Sequence, residues 1–343
     1  MKMPQFRVEP SALKTNRRQF LAQTAAATSL LAAGCSTLRE PKSQAQVMTV
    51  RGFISARDMG ITLPHEHVML DFIGAEKAER SRYKRNEVFE TVLPYLENFR
   101  DFGDYAVGDR RLKRGLLYRS ANQSEATEAD LEAMRALGLS VIVDLRRPNE
   151  RERSPSRRWR DFAATVIEND LGHEEEDPWH TFIKASDLSP GAFTDYMVDY
   201  YRDAPFVDRH VDLYSRYFHA LSETDGAVLI HCAAGKDRTG ILAALTHHLA
   251  GVHEDDILAD FLLTNDPLRF ERRAPQFAAV IEEMTGRRPT QEAVITALGV
   301  EAHYLETAFA AIHEKHGTLD AYLRDVLGVD AARREAIAYK ILD

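Results

Sequence analysis

The stretch from Ala227 to Gly251 constrains the chain most, because it reads as strand, loop and helix in direct succession. Ala227-Val228-Leu229-Ile230 is a short apolar run of the kind a buried strand shows, and Ile241 to Ala250 reads as a helix closed by Gly251. The loop therefore ends at a helix N-terminus. Successive backbone N–H groups converge there and the helix dipole adds positive potential, so a tetrahedral oxyanion is favoured. Gly235 permits the tight turn. The same field stabilises a thiolate on Cys232, and the planar fork of Arg238 grips two oxygens of a phosphate as no lysine can. Thr239 offers a hydroxyl to the sulfur when it leaves. The pattern predicts a phosphate-binding site with a cysteine nucleophile.

Composition frames this reading. The chain has 343 residues, 44% of them hydrophobic, which is ordinary for a globular protein with one large core or two smaller ones. Residues 1–35 read as a targeting segment. Thr15-Asn16-Arg17-Arg18-Gln19-Phe20-Leu21 resembles the twin-arginine export motif, and the apolar stretch from Phe20 to Ala33 is too short to span a bilayer comfortably. Leu31-Ala32-Ala33-Gly34-Cys35 resembles a lipoprotein processing site, although Ala32 stands where leucine is usual. The expectation is export to the periplasm or cell envelope, with membrane attachment through a lipidated Cys35 or, alternatively, simple cleavage. A linker, 36–46, follows.

The formal net charge of −9 becomes −13 without this segment, which carries five basic residues against Glu9, so nucleic acid is not an expected partner. The two cysteines are Cys35 and Cys232, and once Cys35 is lipidated or removed no intramolecular disulfide can form.

The run His231-Cys232-Ala233-Ala234-Gly235-Lys236-Asp237-Arg238-Thr239-Gly240 resembles the signature of the cysteine-dependent protein tyrosine phosphatase superfamily. Its Gly-Lys-Asp-Arg core resembles the atypical bacterial tyrosine and phosphoinositide phosphatase branch. Asn98-Phe99-Arg100-Asp101-Phe102-Gly103, Arg114 to Ala121, and Val141 to Arg146 with Glu150 resemble further blocks of that branch. The likeness covers 97–343 and departs from the family at Asp104, where a second glycine is common.

The resemblance implies an α/β fold: a tyrosine-phosphatase-like central sheet flanked by helices, with a helix-rich C-terminal part. It implies no cofactor, and as substrate a phosphorylated protein, a phosphoinositide or a small phosphate ester. It implies a phosphocysteine on Cys232, with Ala233, Ala234, Gly235, Lys236 and Arg238 binding phosphate and His231 and Thr239 completing the catalytic loop. Related phosphatases carry their general acid in a Trp-Pro-Asp loop, a tripeptide this sequence lacks. Asp237 is the first candidate acid and Asp144 the second, whose other reading is a partner of Arg146 or a helix cap. Lys236 is expected at the rim of the site.

A second resemblance lies at 47–96. Thr49 to Ile54 and Gly60 to Leu70 are similar to the N-terminal portion of the phosphotriesterase family, in which a His-x-His pair binds metal. His65 and His67 would share one face of a strand. That fold needs eight strands and roughly 250 residues, and the remaining ligands have no counterpart here, so 47–96 reads as a truncated fragment. Two alternatives stay open beside the phosphatase: a metal-dependent ester or lactone hydrolase using this pair, and a catalytically silent phosphate-binding module.

Elsewhere helices and strands alternate. Thr127 to Asp130 starts a helix with Leu131, Met134 and Leu137 on one face, Ser140 to Leu145 and Ala164 to Ile167 read as strands, and Phe206 to Leu221 as an amphipathic helix. Apolar faces at 257–263, 277–284, 304–312 and 319–327 suggest a helical lid and flank over the site. The basic run Arg151, Arg153, Arg157, Arg158 and Arg160 and the acidic run at 173–177 read as solvated loops, with a basic rim for anionic substrate or lipid as the alternative.

Overall fold

The computed structural model describes residues 96–172 and 177–343, together with the backbone of 46–49 and 52–55. The chain divides into two units at Gln46/Val47. The targeting segment with Arg17, Arg18 and Cys35, the pair His65 and His67, and the acidic residues 173–176 lie outside the described residues. Gln46–Thr49 and Gly52–Ser55 pair as a two-stranded ribbon.

The central sheet is built from Arg100–Asp101 (β1), Leu117–Ser120 (β2), Leu139–Asp144 (β3), Thr165–Ile167 (β4) and Ala227–His231 (β5), in the order β1-β2-β5-β3-β4. β1 runs antiparallel to β2, and the remaining pairs are parallel. β5 is thus the centre of the sheet, paired on both edges and buried along its whole length. Its apolar run follows from burial on both faces.

The helices of the described residues are Glu128–Arg135 (α1), Pro148–Arg153 (α2), Pro178–Ala185 (α3), Pro190–Asp203 (α4), Asp208–Glu223 (α5), Asp237–Ala250 (α6), Glu254–Leu262 (α7), Pro267–Thr285 (α8), Gln291–Leu298 (α9), Ala302–His316 (α10), Leu319–Asp325 (α11) and Ala331–Ile341 (α12). None is long and apolar enough to cross a membrane.

Alternation along the strands sends side chains to two cores. Val228, Ile230 and Cys232 join Val141, Val143 and Leu145 in a large core with α5, α6 and the helices after α9. Ala227, Leu229 and Ile142 face a smaller core with Leu131, Met134 and Trp159. Each fully buried Leu or Ile on these faces contributes roughly 1.5–3 kcal/mol. α6 is buried almost all round, which matches its place against the large-core face of β5.

The expected helix at 127 forms with a full capping box: Thr127 accepts from Asp130 N, and the Asp130 carboxylate accepts from Thr127 N at 2.7 Å. The basic run is a solvated loop in part: Arg157, Arg158 and Arg160 lie past the end of α2 in a stretch without helix or strand, and Arg153, Arg157 and Arg160 are exposed. It begins inside α2, which starts at Pro148 and is capped by Glu150 accepting from Arg147 N at 2.7 Å. Arg151 then donates to the carbonyls of Arg146 and Asn169, Arg157 to that of Ala126, and Arg158 to Gln123 Oε1. Arg151 and Arg157 thus supply donors to backbone carbonyls, and Arg158 to a side-chain amide.

Candidate active site

The loop from Cys232 to Lys236 joins the C-terminal end of β5 to the N-terminus of α6. Gly235 has φ +63°, and a Cβ there would stand 2.4 Å from the carbonyl of Ser120, so only glycine fits. The loop's carbonyls are braced from outside. Ala233 O accepts from Asn122 N and Nδ2 at 3.2 and 3.0 Å, and Gly235 O accepts from Asn98 Nδ2 at 2.7 Å and Arg119 Nη2 at 3.0 Å. Among the described residues, no acceptor meets the backbone N–H groups from Ala233 to Arg238. A ring of unpaired donors at a helix N-terminus is an anion cradle.

The braces have roots of their own. Asp260 on α7 holds Arg119 at 2.8 Å and Arg100 at 3.3 Å, all three side chains being buried, and Tyr105 adds a hydrogen bond to Asp260 at 3.1 Å. The sequence blocks around Asn98-Phe99-Arg100 and Arg119 therefore act on the loop by contact. Their sequence distance from Cys232 concealed this.

A cavity of ≈ 760 Å³ opens above the loop, lined by Cys232, Ala233, Ala234, Lys236, Asp237 and Arg238 and walled by Trp179, Tyr196 and Phe277 from α3, α4 and α8. Cys232 is buried at its floor, with 2% exposure. Arg238 meets Glu150 through two nitrogens, at 2.5 and 2.8 Å, and donates to Leu145 O at 3.1 Å. Burial alone would lower the guanidinium's pKa; the pair with Glu150 outweighs it and holds Arg238 well above the ordinary value. Burial likewise opposes ionisation of Glu150, yet Arg238 brings that carboxyl down to about 2. Sequence reasoning quoted Glu150 without a role; its signal was the Pro148-x-Glu150 helix start beside the strand end.

A second cation stands on the same wall. Arg209 donates to Leu145 O at 2.7 Å and contacts His210 Nε2 at 2.8 Å, with no carboxylate in ion-pair reach among the described residues. Burial first, then the charge of Arg238, lowers its pKa to about 10, so it is charged at neutral pH.

Asp237 also lines the cavity, and Tyr201 of α4 donates to its Oδ1 at 2.9 Å. Lys236 is not at the rim. It is buried, its Nζ donating to Ala297 O at 2.7 Å and Gly299 O at 3.1 Å, because the end of α9 presents bare carbonyls at that point. Desolvation lowers its pKa.

Asp144 lies outside the cavity lining, behind the loop, and Arg146 clasps it at 2.9 and 2.6 Å. Burial would raise this carboxyl, but His231 and Arg146 together hold it below the usual carboxylate range. A carboxylate so held has no proton to give to a leaving group. His231 is fully buried 3.6 Å from Asp144, and burial lowers its pKa to about 4. Thr239 Oγ1 is buried without a hydrogen-bond partner and makes no bond to the sulfur in this structure. No three His, Cys, Asp or Glu side chains gather as a metal site among the described residues.

The tyrosine phosphatase family model matches residues 91–343. A putative tyrosine-protein phosphatase of Cupriavidus necator is 35% identical over 242 residues, 69% of this chain and 84% of its own length. The triple specificity protein phosphatase PtpB of Mycobacterium tuberculosis is 34% identical over 264 residues, 68% of this chain and 92% of its own. A tyrosine-protein phosphatase of Nostoc commune is 28% identical over 219 residues, 61% and 68% of the two chains.

Proposed function

The chain belongs to the tyrosine phosphatase family, whose members are phosphoric monoester hydrolases, and on that footing we propose that it cleaves phosphotyrosine and phosphoinositide monoesters through a phosphocysteine at Cys232. The observation that carries this reading is the cradle of unpaired N–H groups around a buried cysteine, with Arg238 oriented over it by Glu150. The Glu150 pair and the bond to Leu145 O take both N–H groups of Nη1 and one of Nη2, leaving the Nε–H and the second Nη2–H for phosphate.

The Cys232 thiolate attacks phosphorus, the S–P bond forms as the bond to the leaving oxygen breaks, and Asp237 gives that oxygen a proton. Water then attacks phosphorus, gives its proton back to Asp237, and the S–P bond breaks to release phosphate. Arg209 supports a substrate with a further anionic group, such as an inositol phosphate, because among the described residues its charge has no carboxylate partner.

Cys232→Ser is expected to abolish hydrolysis of an aryl phosphate in buffer containing chelator, and retained activity overturns the reading. A panel of phosphotyrosine peptide and short-chain phosphoinositides then tests the substrate class. We also propose, on sequence alone, that residues 1–35 direct export and that Cys35 becomes a lipid anchor, with 47–96 a separate fragment before the phosphatase domain.

A further inference from the structure

Asp237 has two carboxylate oxygens in unequal surroundings. Oδ1 accepts from the Tyr201 hydroxyl at 2.9 Å and lies 3.6 Å from Lys236 Nζ, whereas no donor meets Oδ2 among the described residues. Tyr201 cannot easily move. It is fully buried, stacked on Tyr304 with centroids 5.5 Å apart and set edge-on to Phe261 at 5.9 Å. Burial first, then the charge of Asp237, raises its pKa well above the ordinary value, so the hydroxyl keeps its proton and always donates. Its sequence neighbour Tyr200 lines the cavity.

We propose that Tyr201 is a positioning residue for the general acid, fixing Oδ1 so that Oδ2 alone faces the substrate and carries the exchanging proton. The inference rests on the assignment of Asp237 as that acid. In the first step the proton on Oδ2 passes to the leaving oxygen as the P–O bond breaks; in the second, the attacking water returns a proton to the same oxygen. A carboxyl free to rotate would present either oxygen, and the orientation would be lost at each turnover.

The experiment compares two substrates: phosphotyrosine, whose phenol has a pKa of about 10 and needs a proton as it leaves, and a nitrophenyl phosphate, whose phenolate leaves readily without one. Asp237→Asn is expected to lose about 100-fold in kcat on phosphotyrosine and far less on the nitrophenyl ester. Tyr201→Phe, which keeps the ring and its stacking, is expected to lose roughly 10-fold on phosphotyrosine with little change on the nitrophenyl ester, in KM, or in inhibition by inorganic phosphate. In the double variant the Tyr201 change should add nothing on phosphotyrosine.

Equal slowing of both substrates by Tyr201→Phe, or an additive double variant, overturns the positioning role while leaving Asp237 as acid. No difference between substrates for Asp237→Asn removes the acid assignment, and the positioning role with it.

Discussion

Arg238 and Glu150 illustrate how one contact sets both the shape and the charge of a site. The pair is buried and doubly bonded, and Glu150 with its pKa near 2 stays ionised at every pH where a phosphatase works. The guanidinium is consequently held in one plane above the loop. Glu150→Gln keeps the size of the side chain but removes its charge and one of two acceptors. We expect kcat/KM for an aryl phosphate to fall about 100-fold, as a misplaced clamp implies. The profile should not gain a new acidic limb, because the lost group does not titrate in that range; steady-state kinetics from pH 5 to 8 check both. The placement of Cys232, Gly235 and Arg238 at one strand-to-helix turn was legible in the sequence because they are neighbours along the chain. The contacts of Glu150, Tyr201 and Lys236 were not, since each meets its partner across 88, 36 and 61 positions respectively.

Among the elements, α1 supports the smaller core and touches nothing in the cavity, so its cap can be tested apart from the chemistry. Thr127→Ala removes the hydroxyl that accepts from Asp130 N and should cost about 1 kcal/mol in urea unfolding with kcat unchanged. This helix and strands β3 and β5 could be read from period and capping alone. Helix α4 could not be read from charge or composition, yet its buried Phe193, Met197 and Tyr201 recur at every fourth residue, and Ser189 before Pro190 marks its start. The same cap-then-proline signal, Asp177-Pro178 and Asp266-Pro267, opens α3 and α8. Such signals are short, and the surrounding polar residues hide them from a reading based on hydrophobic runs.

At the scale of the whole molecule, buried ionisable groups make stability depend on acidity in one direction. His231 is neutral in the fold, where burial brings its pKa to about 4, and an unfolded histidine binds a proton near pH 6.5. The unfolded chain therefore takes up more protons as pH falls from about 6.5 to 4, and stability drops across that window. Glu150 and Asp260 ionise more readily folded than unfolded; despite burial, Arg238 holds the first near 2, and Arg100 with Arg119 holds the second lower still. Their contribution is present above about pH 4.3 and 3.9 and is lost below these values, extending the decline. Thermal melts should show a falling midpoint from pH 7 to 4, steepest at the acid end, and a level midpoint would contradict this account.

β5 enters the sheet between two strands that precede it by ~110 and ~90 residues, and the Cys232 loop hangs from its end. A nascent chain accordingly holds β2 and β3 for some time without the strand that joins them. During that interval the sulfur of Cys232, almost wholly shielded in the native protein, stands in water with neither cradle nor walls. Oxidation is then governed by thiolate exposure rather than by the finished site. The share of molecules that reach the fold with Cys232 still a free thiol is accordingly set by the redox conditions where the chain folds, and not only by those where it resides.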